Sequence, residues 1–168
     1  MHRLYLLRHL KSSWEEPGLD DHDRPLADRG RNAGRRMRGH FAAEGLHPQL
    51  VLCSSATRAM QTWEAIRAAA PEAELEVTDG IYGADADTLM RLLNGVPESV
   101  SSVLLIGHSP AIEQLALALS ASAGSAALAR LEAKYPTGGL ASLSLSSPWA
   151  ELAPASARLD AFVVPREL

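Results

Sequence analysis

The sequence predicts an α/β fold, a three-layer α/β/α sandwich with a mostly parallel central sheet. Two observations favour this fold. Short apolar runs of strand length recur along the chain, and the segments between them have the composition of helices. Alternation of strands and helices is typical of a parallel sheet, because each parallel pair needs a crossover connection. No repeat and no interdomain linker interrupts the pattern, so residues 1–168 are expected to form a single domain.

The strands are predicted where aliphatic residues run together between polar or turn-forming segments. The run Val-Leu-Leu-Ile at 103–106 is the clearest of them. The predicted strands lie at 4–7, 50–53, 75–77, 103–106, 139–146 and 159–164. The predicted helices span 29–44, 56–70, 87–93, 111–119 and 126–134. A small, polar segment at 120–125 is expected to break the chain between the last two helices.

Helix ends are indicated by capping residues. Asp28 is a candidate cap for the first helix, and Gly45 should end that helix, because glycine readily adopts the left-handed conformation of a helix C-terminus. Ser54 or Ser55 is a candidate cap for the second helix. The loop between the first strand and the first helix contains the acidic segment 20–23, which is expected to be solvated.

Composition excludes several classes of function. Apolar residues make up 46% and charged residues 21% of the 168 residues, as in ordinary globular proteins. The net charge of −4 argues against binding to nucleic acid or to an anionic membrane. No run approaches the roughly 20 apolar residues of a membrane span, and no secretory signal is visible, so we expect a cytoplasmic protein. A single cysteine, Cys53, excludes an internal disulfide and a multi-cysteine metal site.

Polar clusters directly follow the three clearest strands. They are Arg8-His9, Ser54-Ser55 with Arg58, and the Gly-His-Ser-Pro segment at 107–110. The carboxyl ends of parallel strands lie along one edge of a sheet, where ligands bind, so these clusters are expected to converge. Two arginines and two histidines in one pocket suit a phosphate dianion, since guanidinium groups pair well with its oxygens.

These segments resemble the histidine phosphatase superfamily, with its phosphoglycerate mutase-like fold. The resemblance covers nearly the whole chain and rests on four motifs in order: Leu-Leu-Arg-His at 6–9, Arg-Pro-Leu at 24–26, Ser-Ser-Ala-Thr-Arg at 54–58 and Gly-His-Ser-Pro at 107–110. The Arg-His-Leu-Lys-Ser-Ser-Trp segment at 8–14 and Tyr-Pro-Thr-Gly-Gly at 135–139 are similar to those of SixA-type phosphohistidine phosphatases.

The resemblance implies roles for individual residues. His9 matches the nucleophile that becomes transiently phosphorylated, and Arg8 and Arg58 match the two phosphate-binding arginines. His108 matches the second histidine, which contacts the phosphoryl oxygens. Asp79, near an aromatic-glycine pair, is the candidate for the general acid or base.

Other residues have weaker expectations. Ser12 and Ser109 are further candidates for binding phosphate or substrate. Leu10 stands where the family usually has glycine, and its side chain either narrows the pocket floor or points outward. The three tryptophans, Trp14, Trp63 and Trp149, are expected to be packing residues. His9 should be neutral, with a backbone carbonyl accepting from its second ring nitrogen.

The predicted function is a metal-independent phosphatase that removes phosphate from phosphohistidine on a signalling or phosphotransfer protein, with no cofactor. The absence of an obvious acid favours this labile substrate over a stable ester. One alternative is a broad-specificity phosphatase of small esters or nucleotides. The other is a non-catalytic phosphate-binding module. The expected partner is therefore a phosphorylated protein or a small phosphate ester.

Overall fold

The computed structural model describes residues 1–121 and 125–168, and within them six strands form one sheet. The strands are β1 (His2–Arg8), β2 (Leu50–Ser54), β3 (Glu74–Thr78), β4 (Ser102–Gly107), β5 (Leu140–Leu145) and β6 (Ala157–Val163). The helices are α1 (Asp28–Glu44), α2 (Thr57–Ile66), α3 (Ala86–Asn94), α4 (Ala111–Leu119) and α5 (Ala126–Ala133). Part of the predicted break at 120–125 lies outside the described residues.

The strand order is β3-β2-β4-β1-β5-β6. The first four strands of that order pair in parallel, whereas β5 runs antiparallel to both of its neighbours. The mostly parallel sheet predicted from the sequence is confirmed. Strands β1 and β4 lie side by side at its centre with Arg8 opposite Gly107, so their carboxyl ends stop at the same level.

The alternation of side chains along the central strands separates two cores. Leu4 and Leu6 face a core that contains the apolar side chains of α3, α4 and α5. Tyr5 and Leu7 face the opposite core, against α1 and α2. Because every residue of β1 from Leu4 to Leu7 is buried, the sheet is covered on both sides, as in the predicted three-layer sandwich.

The helix ends differ in part from the predictions. Gly45 ends α1 with φ of 64°, as expected, but Asp28 is the first helical residue and Ala27 precedes it without a side-chain cap. Ala56, not either serine, is the residue before α2, and the hydroxyl of Ser54 accepts from its backbone N–H at 3.2 Å. The second helix ends at Ile66 and continues as a 3-10 turn, so the prediction to residue 70 was too long.

Candidate active site

The backbone around His9 is clamped between β4 and the segment before β5. The N–H of His9 donates to the carbonyl of Gly107 at 3.0 Å. From the other side, the N–H of Gly138 lies 3.0 Å from the carbonyl oxygens of both Arg8 and His9. Gly138 has φ of 75°, and a Cβ there would lie 2.6 Å from Pro165, so this turn requires glycine.

His9 is held in one tautomer. Its Nδ1 lies 2.7 Å from the carbonyl oxygen of Leu10, which can only accept, so Nδ1 carries the proton. Burial and, to a smaller extent, nearby His108, Arg58 and Arg8 together lower the pKa of His9 to about 3, although the hydrogen bond to Leu10 opposes them. The ring is therefore neutral at neutral pH, with the lone pair on Nε2. The predicted backbone acceptor is confirmed.

Two arginines, half-buried Arg8 and buried Arg58, flank this histidine. Nη1 of Arg8 donates to the carbonyl of Tyr135 at 2.8 Å, which fixes the guanidinium beside the turn that follows α5. Arg58 donates from Nη1 to the backbone carbonyl of Asp21 at 2.6 Å and from Nη2 to the carboxylate of Asp21 at 2.9 Å. The Nε groups of both arginines are buried and have no acceptor among the described residues. The site thus contains two guanidinium groups, and each has an N–H donor without a partner among the described residues.

A buried hydroxyl joins the backbone next to His9 to the backbone of Arg58. The hydroxyl of Thr62 accepts from the N–H of Leu10 at 3.0 Å and donates to the carbonyl of Arg58 at 2.7 Å. Thr62 has no exposed surface and lies one turn beyond Arg58 in α2. This residue was missed in the sequence, because a threonine inside a helix carries no signal of such a bridge.

His108 faces His9 across the site. The two ring centroids are 5.1 Å apart, and Nε2 of His108 lies 2.7 Å from the hydroxyl of Ser54. Burial and, to a smaller extent, the charge of Arg58 together lower the pKa of His108 to about 4. The edge of Tyr82 packs against the His108 ring with centroids 5.5 Å apart. At neutral pH both histidines are therefore uncharged, and the positive charge of the site comes from its arginines.

Two carboxylates lie at the rim, and only one contacts the arginines. Asp21 accepts from Tyr82 at 2.7 Å as well as from Arg58, and these bonds hold the pKa of its carboxyl below the usual value. The expectation of a merely solvated loop was wrong for this residue. Asp79 instead accepts from the hydroxyl of Ser55, which is also 2.9 Å from Nε2 of His22. No local sequence pattern distinguishes Asp21 from its acidic neighbours.

The remaining candidates have partners within the protein. The buried hydroxyl of Ser12 accepts from Arg24, and the hydroxyl of Ser109 donates to Glu113 at 3.3 Å. Phosphate binding by these two serines stays a prediction. Trp14 is 71% exposed and lies outside the apolar core; it packs against the Arg24 guanidinium, which is 3.3 Å from its ring centroid. Trp63 and Trp149 are buried as expected.

The side chain of Leu10 is buried in the protein interior. Its side chain is 1% exposed and packs in a small apolar cluster with Leu26 and Ala33, beneath the first loop. It is so close to Gly34 and Gly138 that a Cβ at either position would come within 3.0 Å of it. Of the two orientations expected for Leu10, the structure therefore shows neither: the side chain packs inside the protein, behind the backbone of His9.

Across residues 1–121 and 125–168, no group of three His, Cys, Asp or Glu side chains is arranged to hold a metal ion. In the same part of the chain, no helix is long and apolar enough to span a bilayer.

Comparison with known proteins agrees with this geometry. A family model described as histidine phosphatase superfamily (branch 1) matches residues 4–89. This chain belongs to the histidine phosphatase superfamily. An uncharacterized protein of Mycobacterium tuberculosis is 38% identical over 162 residues, which cover 95% of this chain and all of that protein.

Solved structures of this superfamily include two similar proteins assigned as the phosphohistidine phosphatase SixA. The protein from Nakamurella multipartitia is 29% identical, with a TM-score of 0.86 over 98% of this chain and 96% of its own. The protein from Agrobacterium tumefaciens is 33% identical, with a TM-score of 0.83 over 98% of each chain. The SixA-type resemblance and the phosphoglycerate mutase-like fold are confirmed, and membership of this superfamily supports phosphatase activity.

Proposed function

We propose that this protein hydrolyses phosphohistidine on a signalling or phosphotransfer protein through a phosphorylated His9. The observation that carries the proposal is the neutral His9 ring, whose Nδ1–H is bonded to Leu10 so that Nε2 is the nucleophile. Arg8, Arg58 and His108 lie close enough to the His9 ring to lower its pKa, and they are assigned to the phosphoryl oxygens. The proposal treats residues 1–168 as one catalytic domain acting in the cytoplasm.

In the first step, Nε2 of His9 attacks phosphorus, and the bond between phosphorus and the substrate's ring nitrogen breaks. The substrate imidazole leaves with the electron pair and is neutral once a ring nitrogen carries a proton. Phosphorylated His9 is cationic on its ring, and its Nδ1–H bond to Leu10 disperses that charge. Arg8 and Arg58 stabilise the charge on the equatorial oxygens, as expected for phosphoryl transfer.

In the second step, the oxygen of a water molecule attacks phosphorus and the electron pair returns to Nε2 of His9. Inorganic phosphate leaves and a water proton is released. The enzyme returns to its starting protonation state, because Nδ1 keeps its proton throughout. Splitting hydrolysis into two transfers is the usual advantage of a covalent intermediate.

The rim carboxylates favour a substrate with a good leaving group. A phosphate ester releases an alkoxide, which needs a positioned acid worth about 100- to 10,000-fold in rate. The hydrogen bonds from Tyr82 and Arg58 lower the pKa of Asp21, so it does not act as an acid in this arrangement. Asp79 stays the predicted acid or base, although its carboxylate accepts from Ser55. A phosphohistidine substrate has less need of such a donor.

The runner-up is a broad-specificity phosphatase of small esters or nucleotides. It is favoured by the short connection between β2 and α2, residues 55 and 56, which offers no cover for the site. An uncovered rim admits a protein surface, and it admits small esters equally well.

The test is phosphate release by the wild type, His9→Ala and the matched control His40→Ala, which removes an imidazole from α1 instead. The substrates are a phosphohistidine peptide, p-nitrophenyl phosphate, ATP and 3-phosphoglycerate, each with a chelator present. We expect the phosphohistidine peptide to be turned over fastest, with activity lost only in His9→Ala. Fast turnover of small esters alone would favour the runner-up, and loss of activity in chelator would overturn metal independence. Anion binding without a trapped phosphoenzyme would indicate a binding module.

A further inference from the structure

A second groove opens beside the active site, on the outer face of the turn that holds Arg8. It has a volume of about 620 Å³ and is bounded by α1, by the end of α5 and by the segment that follows β6. Six of its 14 described lining residues are cationic, and none is acidic. They are Lys11, Arg29, Arg36, Arg130, Lys134 and Arg166. We call this feature the cationic groove.

The concentration of charge is unusual for this protein. The chain has a net charge of −4, yet six of its 16 lysines and arginines line this one groove. Arg130 pairs with Glu167, and Nε of Arg36 donates to the carbonyl of Pro165 at 3.2 Å. The other four cations are exposed and form no ion pair with any described residue. Their charges are therefore available to bind an anion from solution.

The floor of the groove is apolar. Ala33, Phe162 and Val164 line it and are at most 9% exposed. A site for a single phosphate is expected to contain buried hydrogen-bond donors. This groove instead has apolar side chains at its base and exposed cationic side chains around them. Such a surface complements a peptide that carries several carboxylates together with apolar side chains.

The groove and the active site share a wall. Lys134 and Pro136 line the groove, while the carbonyl of Tyr135 between them accepts from Arg8. Lys11 lies two residues beyond His9. A polypeptide lying in the groove would therefore place its neighbouring residues at the nucleophile.

We propose that the cationic groove binds an acidic segment, interspersed with apolar side chains, of the phosphorylated protein substrate. This inference rests on the proposed function, because it takes the substrate to be a protein. Docking in the groove would raise the local concentration of phosphohistidine at His9 without any change in the chemical step.

Binding is tested with a fluorescent peptide of repeating Glu-Leu-Glu-Glu sequence, by anisotropy with the whole protein. We expect the affinity to fall with added salt and to be roughly tenfold lower in Lys134→Glu/Arg166→Glu, since attraction at two cations becomes repulsion.

Arg29→Glu is a second variant that preserves folding, because it places a carboxylate in the first turn of α1. The matched control Arg38→Glu/Arg91→Glu changes the same number of exposed charges outside the groove and should bind within about twofold of the wild type.

Turnover is tested with two phosphohistidine peptides that differ only in a Glu-Leu-Glu-Glu extension. We expect the groove variants to have a lower kcat/KM than the wild type for the extended peptide. For the short peptide and for p-nitrophenyl phosphate, their kcat/KM should equal that of the wild type. Equal effects on both peptides, or tighter binding of a single-stranded oligonucleotide than of the acidic peptide, would overturn the groove's assignment. If the protein binds the acidic peptide in the groove but does not hydrolyse phosphohistidine, the groove's assignment stands and the proposed function is wrong.

Discussion

Asp21 accepts a hydrogen bond from Arg58 at 2.9 Å, so a guanidinium assigned to phosphate is paired with a carboxylate of the first loop. A phosphate dianion at Arg58 would compete with that carboxylate and be repelled by it. The Asp21 side chain is 51% exposed, so solvent weakens the pair and leaves it easy to displace.

Asp21→Asn should therefore bind inorganic phosphate about two- to fivefold more tightly, the range expected for an exposed ion pair. Isothermal titration calorimetry measures the difference. Asp20→Asn is the matched control, because Asp20 is exposed and forms no ion pair among the described residues. If Asp21→Asn bound phosphate no more tightly than the wild type, the Asp21 carboxylate would not compete with phosphate for Arg58.

The two site histidines should make stability depend on pH in acid. Their pKa values in the folded protein are about 3 for His9 and about 4 for His108, below the unfolded value of about 6.5. The unfolded state therefore binds more protons as the pH falls below 6.5. Each histidine should lower the free energy of unfolding by about 2 kcal/mol between pH 7 and pH 5.

His9→Asn removes one of these two titrations. The free energy of unfolding of this variant should fall by about 2 kcal/mol less than that of the wild type between pH 7 and pH 5. Urea unfolding at a series of pH values provides the comparison. Parallel profiles for the two proteins would show that His9 is protonated as easily in the folded state as in the unfolded one.

Thr62→Val should lower both stability and activity. It removes the hydroxyl that joins the N–H of Leu10 to the carbonyl of Arg58, and leaves both buried groups without that partner. The expected cost is about 1–3 kcal/mol in the free energy of unfolding. Turnover measured where both proteins are folded should also fall, since His9 and Arg58 lose a shared support.

Thr62→Ser keeps the hydroxyl and is the matched control for this positioning role. It should restore most of the turnover lost in Thr62→Val, even though it removes a buried methyl group. Full turnover in the folded valine variant would restrict Thr62 to stability.

Leu10→Ala should lower the stability of the protein without lowering its turnover. The buried leucine fills the apolar cluster behind the site, so its truncation should cost about 2–5 kcal/mol. The Leu10 carbonyl that orients His9 is retained, and turnover of folded protein should stay near that of the wild type. Leu26→Ala, in the same cluster, should behave alike. A selective loss of turnover in Leu10→Ala would place its side chain in the catalytic machinery.

The sequence allowed the fold and the core of the site to be predicted because both depend on local patterns. Aliphatic runs mark the central strands, and a parallel sheet brings the residues after them to one edge. Arg8, His9, Arg58 and His108 could therefore be grouped without knowledge of any contact. The neutral His9 followed from the cations expected around it.

The rest depends on contacts between distant segments that no local pattern encodes. Asp21 reaches Arg58 from a polar loop, and its role could not be distinguished from that of Asp20 or Asp23. The cationic groove combines residues from both ends of the chain, whose charges appear in the sequence only as scattered surface positions. The exposed Trp14 shows the same limitation, since its partner is a guanidinium and not the core.

The central place of β1 sets an order of events during synthesis. This strand is synthesised before both of its neighbours, β4 and β5, and before Gly138, which holds the backbone of His9. At roughly 5–20 residues per second, translation needs on the order of ten seconds to pass from His9 to that glycine. His9 therefore lacks one of the contacts that hold its backbone until the segment before β5 has been made, and the arrangement proposed for catalysis can form only after that.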